Sequence, residues 1–316
     1  MIKKHSYFKD FIKAKMSTSR VLNFLLNPVV SERRKRLRKD FEPKLQVYNL
    51  LSEILVHDPI LHLEEFNGDF LIDKRSTLFR RVITRSCYEP KLVQLALKYV
   101  DQSRDVIDVG ANIGFYTILL AKHVNENVRL LSIEPTPNAI AILKKNLELN
   151  KVLEKVIVFE GVVSDKTDIV NISVVPGKEE YSSIGSMSHD SIISENYINI
   201  EVKSATLDSL IELHGLNPGF VKIDVEGVEN LVLNGSSRLL EKYRPVILTE
   251  VSDNLLLKNG FSAQELFEQI SFYEYKIIDA MYPERNLHPK LCTQALCLPK
   301  TTSSKLDFRQ LGSITE

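Results

Sequence analysis

Short apolar runs of strand length alternate with segments of helical periodicity from residue 105 to about residue 300. The runs that predict strands are 106–109, 128–133, 156–159, 220–225, 246–251, 276–278 and 295–298. Helices are predicted at 115–124, from the capping Thr136 and Pro137 onward, and at 263–270. Strands that alternate with helices indicate a parallel sheet covered on both faces. We therefore expect a doubly wound α/β domain over residues 101–300.

Two segments depart from this alternation. Residues 45–100 predict an amphipathic helix, a hairpin around Asn67-Gly68 and a second helix opened by Pro90, so they form a helical and hairpin flank to the α/β domain. Residues 164–204 are polar, β-rich and irregular, which predicts an insert. The last two strands are expected to pair as an antiparallel hairpin at the sheet edge. Residues 1–44 are left as an N-terminal arm and 301–316 as a C-terminal tail.

The composition is that of an ordinary soluble globular protein, with 44% hydrophobic and 26% charged residues in a chain of 316. Three cysteines are too few, and odd in number, for a disulfide scaffold. No apolar run approaches the roughly 18 residues that a membrane span needs. Because we also find no secretion signal, we expect a cytoplasmic protein with reduced cysteines.

The charge is balanced overall but uneven along the chain. The 41 basic and 41 acidic residues give no general attraction to nucleic acid, so no specific nucleic-acid partner is expected. Residues 1–40, however, contain twelve Lys or Arg and only three acidic residues, and the basic ones are densest at 33–39. Two interpretations stay open. The arm is either a solvated extension, or an electrostatic tether that places the protein peripherally on anionic lipid, glycan or RNA.

The first chemical signal is the glycine-rich turn after the first α/β strand, at 108–114 (DVGANIG). Such a turn lets the backbone approach a ligand at a helix N-terminus. It lacks the dinucleotide pattern G-x-G-x-x-G, because Asn112 and Phe115 stand where glycines are needed. Glu134 ends the second strand, where a carboxylate can accept from ribose hydroxyls. Asp108 either meets a ligand ammonium or orders the turn, and Glu134 equally fits a purely structural capping role.

The second signal is the pair Asp224 and Glu226 at the end of the fourth strand. Two residues apart on a strand, their side chains are expected to share one face with Lys222. One carboxylate is a candidate proton acceptor, and the other is a candidate group to orient the acceptor or to bind a metal; the alternative is that both only cap the next helix and are salt-bridged. His189, in the insert, is a second candidate base. No metal ligands are assigned, and zinc is not expected, because Cys292 and Cys297 have no histidine pair at ligand spacing.

These motifs together resemble the FkbM-type S-adenosylmethionine-dependent methyltransferases. The matching stretches are 88–90 (YEP), 108–116 (DVGANIGFY), 134–135 (EP), 146–150 (NLELN), 206–208 (TLD) and 221–227 (VKIDVEG). The resemblance implies a class I fold with a mostly parallel, seven-stranded sheet. It also implies methyl transfer to a hydroxyl of a sugar, glycolipid or natural product. The implied cofactor is S-adenosyl-L-methionine, held by Asp108, Gly110, Asn112, Gly114, Glu134 and Pro135.

Three other functions remain open at this point. An NAD-dependent dehydrogenase would use the same fold, but the turn sequence disfavours it. An RNA methyltransferase is suggested only by the basic arm, and the acidic remainder of the chain opposes it. A binding module that has lost turnover is the third, although Glu134, Asp224 and Glu226 are all present. The acceptor is expected to be a small molecule or glycan.

Overall fold

A computed structural model describes residues 41–85, 88–177, 182–184 and 197–300. Most of the predicted arm, the C-terminal tail and the candidate base His189 lie outside the described residues. Within them, no helix is both long and apolar enough to cross a membrane.

The flank has the elements that its sequence predicts. It comprises α1 (Phe41–Ile54), β1 (Ile60–Leu63), β2 (Gly68–Leu71), α2 (Thr77–Arg85) and α3 (Pro90–Tyr99). Helix α1 begins at Phe41, so the last residues assigned to the arm are helical. Strands β1 and β2 form the predicted antiparallel hairpin. Its connection is not a two-residue Asn-Gly turn: residues 64–67, with a 3-10 turn at Glu64–Phe66 and a left-handed Asn67 at φ 47°, join the strands, and Gly68 begins β2.

The α/β domain follows from residue 105. Its strands are β3 (Asp105–Val109), β4 (Leu130–Glu134), β5 (Val156–Val163), β6 (Asp168–Val174), β7 (Ser183–Ile184), β8 (Ile198–Ala205), β9 (Pro218–Ile223), β10 (Val246–Glu250), β11 (Tyr275–Asp279) and β12 (Gln294–Pro299). Its helices are α4 (Phe115–His123), α5 (Pro137–Leu149), α6 (Leu207–His214), α7 (Glu229–Asn234), α8 (Asp253–Lys258) and α9 (Ala263–Phe272). Shorter 3-10 and π turns connect some of them.

All ten strands of this domain join one sheet, in the order β11-β12-β10-β9-β3-β4-β5-β8-β6-β7. Strands β10, β9, β3, β4, β5 and β8 run parallel, whereas β12 and β6 are antiparallel to their neighbours. The doubly wound α/β class is confirmed, and so is the antiparallel pairing of the last two strands. The sheet has ten strands rather than the predicted seven, because the 164–204 insert supplies β6, β7 and most of β8. The solvent-exposed half of β6 hides its strand periodicity in the sequence.

The strand order places a topological switch point beside β3. The chain runs outward from β3 through β4 and β5 on one side, and it resumes at β9 and β10 on the other. In open α/β sheets, ligands bind where the strand order reverses, at the carboxyl ends of the strands. The fold therefore places a cleft where the β3, β4, β9 and β10 strands end.

The flank shares a hydrophobic core with one face of this sheet. Phe66 and Phe70 are fully buried against Phe115 of α4. Their ring centroids lie 5.0 Å and 4.8 Å, respectively, from the centroid of the Phe115 ring. Asn146 of α5 and Asn150, the residue that caps the end of α5, bind the hairpin. The backbone N–H of Leu71 donates to Asn146 Oδ1 at 2.7 Å, and Asn150 makes two hydrogen bonds with the backbone of Asp69 in β2. The flank is thus packed onto the α/β domain, beside the cleft.

A candidate active site at the carboxyl edge of the sheet

A cavity of about 270 Å³ opens at the switch point. Its lining includes seven of the predicted site residues: Asp108, Gly110, Asn112, Glu134, Pro135, Asp224 and Glu226. Gly114 lies just behind the lining, at the start of α4. The structure adds Tyr88 and Glu89 from the flank, Tyr116 from α4, Glu250 from β10 and Ser182 from the insert. Sequence motifs far apart in the chain therefore meet in one cavity.

The turn after β3 is held by left-handed residues at Gly110, Asn112 and Gly114, with φ of 80°, 49° and 95°. A Cβ on Gly110 would lie 1.9 Å from the backbone oxygen of Asp224, and one on Gly114 would lie 2.6 Å from Leu143 Cδ1. A side chain at position 110 would collide with backbone, so packing requires glycine there, and Gly110 also forms part of the cavity wall. At position 114 the tip of Leu143 could move, and it is the left-handed φ that favours glycine.

Glu134 binds this turn to the start of α5. Its Oε2 accepts from the backbone N–H of Asn112 at 3.0 Å, and its Oε1 accepts from the N–H and the hydroxyl of Thr136 at 3.0 and 2.6 Å. Only 5% of Glu134 is exposed. The structural role considered for Glu134 is therefore present, and the side chain also lines the cavity.

Asp108 lies at the base of the cavity and is almost completely buried. Its Oδ2 accepts from the Thr117 hydroxyl at 2.7 Å, while its Oδ1 has no hydrogen-bond partner among the described residues. Burial raises the pKa of Asp108, although the positive charge of Lys222 opposes this effect. A buried acceptor without a partner is costly unless a ligand supplies a donor. This corner of the cavity therefore suits a ligand cation.

The predicted geometry of Asp224 and Glu226 is wrong in one respect. Strand β9 ends at Ile223, so both carboxylates lie in the following loop and strand alternation does not place them. Glu226 has a φ of 55°, which turns the backbone sharply at that point. The loop nevertheless brings both side chains to the cavity. Sequence alone could not locate the strand end, because the apolar run continues past it to Val225.

Lys222 forms the electrostatic centre of the site. Its Nζ donates to Asp224 Oδ2 at 2.9 Å and lies 4.8 Å from the centre of the Tyr116 ring. Burial alone would lower the pKa of Lys222, but the carboxylates of Asp224, Asp108 and Glu89 more than offset this and raise it above its usual value. Lys222 is therefore a fixed positive charge among these acids.

A cluster of three carboxylates lies on the other side of Asp224. Carboxylate oxygens of Asp224, Glu226 and Glu250 lie within 4.8 Å of one another, a spacing at which carboxylates can hold a divalent cation. Burial, together with the charges of Asp224 and Glu226, raises the pKa of Glu250 well above its ordinary value. Glu250 was not among the sequence candidates, yet it ends β10 as Glu134 ends β4. The same strand-end rule identifies both residues.

The loop after β9 is braced by Glu229, at the start of α7. The N–H of Gly227 donates to Glu229 Oε1 at 3.2 Å, and burial raises the pKa of Glu229 to about 7. The structural alternative for Asp224 and Glu226 was that they cap the next helix and are salt-bridged. Asp224 does form an ion pair with Lys222, whereas Glu229 is the side chain that braces the loop before the helix.

Comparison with known proteins adds an independent line of evidence. The family model described as the methyltransferase FkbM domain matches residues 108–277, more than half of the chain. Over 80 residues, the chain is 35% identical to the tRNA wybutosine-synthesizing protein 2 homolog of Danio rerio, covering 24% of this chain and 19% of that protein. Over 168 residues, it is 23% identical to the methyltransferase sdnD of Sordaria araneosa, covering 53% and 56%. The chain thus spans about a fifth and just over half of these relatives.

Two solved methyltransferase structures align with the chain at low sequence identity. The methyltransferase FkbM of Methylobacillus flagellatus KT is 17% identical with a TM-score of 0.41, and the alignment covers 86% of this chain and 58% of that one. The O-methyltransferase of Bacillus cereus, solved in complex with SAH, is 15% identical with a TM-score of 0.37, covering 89% and 97%.

Proposed function

The chain belongs to the FkbM family of methyltransferases, and from that premise we propose that it moves a methyl group from S-adenosylmethionine to a hydroxyl of a sugar, glycolipid or natural product. The observation that carries the proposal is the single cavity at the switch point, whose lining joins the turn after β3, with Asp108 and Glu134, to the Lys222–Asp224 ion pair. A cofactor held by the turn would lie beside an acceptor held by Asp224.

The residues at and around the turn after β3 fit S-adenosylmethionine. The partnerless Oδ1 of Asp108 would accept from the ammonium of the methionine part. Asn112 and Gly110 offer the wall of a tight turn to the same part, and Glu134 with Pro135 would contact the ribose. Residues 161–163, at the end of β5, line the cavity where the adenine would lie. When bound, the cofactor supplies an electrophilic methyl group.

The chain's own contribution to the reaction is alignment and exclusion of water. Methyl transfer is an in-line displacement, so holding the acceptor oxygen in place supplies much of the rate. We assign that orienting role to Asp224, whose carboxylate is fixed by Lys222 at 2.9 Å. Glu226 and Glu250 lie next to it and would bind neighbouring hydroxyls of a polyol acceptor. A hydroxyl acceptor also needs a base, because its pKa lies far above neutrality.

The charge of the cavity favours a neutral acceptor over RNA. Six acidic side chains line it, namely Glu89, Asp108, Glu134, Asp224, Glu226 and Glu250, against the basic Arg81 and Lys222. A phosphate backbone would be repelled at such a surface. RNA methylation, which the short match to the Danio rerio protein keeps open, and binding without turnover are the alternatives that the assay must separate.

The test is transfer of a labelled methyl group to a panel of sugars, glycolipids, natural products and RNA. We expect incorporation into a neutral hydroxyl compound. Asp224→Asn should lower turnover per folded molecule by about 10²-fold, the usual effect of a misplaced reactant, while the affinity for S-adenosylhomocysteine stays unchanged. Thermal unfolding of the same sample measures the folded fraction. Incorporation into RNA alone, or into nothing, would overturn the proposal, and unchanged turnover per folded molecule would remove Asp224 from it.

A further inference from the structure

Glu89 enters the cavity from the flank in a backbone conformation that is unusual for glutamate. It precedes Pro90, the first residue of α3, and has a left-handed φ of 50° and ψ of 45°. A left-handed backbone is strained for a residue with a side chain. Among the described residues, the Glu89 side chain makes no capping hydrogen bond to α3. The Glu89 carbonyl accepts from the N–H of Val93 in the first turn of α3, which leaves the side chain available to line the cavity.

The carboxylate of Glu89 is held in place by Tyr116. The Tyr116 hydroxyl donates to Glu89 Oε2 at 3.0 Å, and the Tyr116 ring lies against Lys222. Burial and the negative charge of Asp224 raise the pKa of Glu89, and Lys222 only partly opposes them. The titratable and charged groups that act on Glu89 are Asp224, Lys222, Tyr116 and Arg81, and Tyr88 lies next to it in the chain.

Glu89 differs from Asp224 in the kind of partner it has. Asp224 forms a direct ion pair with the buried Lys222, which fixes the position of its carboxylate. Glu89 accepts its hydrogen bond from the neutral phenol of Tyr116, and its carboxylate is poorly hydrated. A base is most effective when its affinity for protons is matched to the working pH. Of these two acids, Glu89 therefore suits proton transfer and Asp224 suits orientation.

We propose that Glu89 is the general base of the methyl transfer, with Tyr116 as the positioning residue that aims its carboxylate; this rests on the function proposed above. The acceptor O–H bond breaks and its proton passes to the Glu89 carboxylate. The electron pair of the acceptor oxygen forms the new O–CH₃ bond as the S–CH₃ bond breaks, and the pair from that bond stays on sulfur. Glu89 then returns the proton to solvent. The flank thus contributes a catalytic group to the α/β domain.

The test uses the full chain in three variants: Glu89→Gln, Tyr116→Phe and the control Glu212→Gln. Glu212 is an exposed carboxylate on α6, paired with Arg238. Glu89→Gln should lower kcat by about 10²–10⁴-fold, the usual effect of removing a general base. It should leave the Kd for S-adenosylhomocysteine unchanged and abolish the limb of the kcat profile that rises with pH. Tyr116→Phe should retain that limb, displaced in pH, and Glu212→Gln should behave as wild type.

A second readout needs no turnover. In the protein labelled with ¹³C at the glutamate carboxyls, the signal missing from Glu89→Gln should titrate above the ordinary range for glutamate. A Glu89 signal in the ordinary range, or wild-type kcat in Glu89→Gln, would overturn the assignment while methylation by the wild type stands. If Glu89→Gln fails to fold, the kcat profile of Tyr116→Phe tests the assignment instead: a rising limb displaced in pH supports Glu89 as the base, and a limb at the wild-type pH overturns it. A wild-type protein that methylates nothing would overturn both proposals together.

Discussion

Replacing Lys222 by Met tests whether the acids of the cavity depend on one buried cation. Lys222 is 7% exposed and faces the carboxylates of Asp108, Asp224 and Glu89. Met keeps most of the volume of the lysine side chain, so the substitution leaves little empty space and little of the expected loss of stability comes from that space. Removing one partner of a buried ion pair typically costs about 3–5 kcal/mol, because the other charge is left uncompensated. We expect Lys222→Met to lower the free energy of unfolding by that amount near neutral pH.

The loss should grow as pH rises. Burial raises the pKa of Asp108 and of Glu89 in the folded state, so between the unfolded and folded pKa values the folded chain binds more protons than the unfolded chain. Stability due to these groups therefore falls as pH rises through that window. Without the positive charge of Lys222, the pKa values of Asp108 and Glu89 in the folded state rise further. The pH range over which stability falls therefore extends toward neutral pH. The variant should be closer to wild type at about pH 5 than at about pH 8.

The assay is urea unfolding of both proteins at these two pH values, followed by circular dichroism. The control is Lys144→Met, which breaks the pair with Glu160 at 2.6 Å, where the side chains are 46% and 54% exposed. An exposed pair contributes about 0–1 kcal/mol, so the control should be nearly as stable as wild type. Equal losses in both variants, or a Lys222→Met loss that does not change with pH, would refute the reasoning.

Three further predictions follow from other parts of the structure. Glu134→Gln places an amide N–H₂ against a backbone N–H of Asn112 or Thr136, so one hydrogen bond is lost. The free energy of unfolding should fall by about 1–3 kcal/mol, and S-adenosylhomocysteine should bind more weakly in calorimetry. Gly110→Ala should lower the melting temperature more than the control Gly215→Ala, because both have a left-handed φ but only Gly110 faces a backbone oxygen at contact distance. Removing residues 1–40 should leave the fold and cofactor binding intact and abolish salt-sensitive binding to anionic vesicles; equal vesicle binding would reduce the arm to a solvated extension.

The sequence predicts the sheet well where strands are buried on both faces. The apolar runs of β3, β4 and β10 locate those strands to within two residues, because β3 and β4 are buried at every position and β10 at its three central ones. Strand β6 escapes prediction because only its last three residues are buried. The end of β9 is also missed, since the apolar Val225 belongs to the loop and the left-handed Glu226 leaves no signature in the sequence.

The sequence predicts most residues of the candidate site, but it does not predict the contacts that these residues make. Strand ends identify Asp108 and Glu134, and the same rule applied to β10 would have added Glu250. The partners of these groups depend on long-range packing that no spacing along the chain encodes. Glu89 meets Tyr116, for example, only because the flank packs on α4. Position 110 likewise needs glycine because a side chain there would collide with the backbone of Asp224, which is more than a hundred residues away along the chain.

The central claim is that the cavity beside β3 binds an adenosyl sulfonium cofactor, and calorimetric titration of the purified chain tests it most directly. We predict saturable binding of S-adenosylmethionine and S-adenosylhomocysteine at one site per chain, weakened in Glu134→Gln, and no heat of binding with NAD. Binding of NAD, or the absence of binding by either adenosyl compound, would contradict the account.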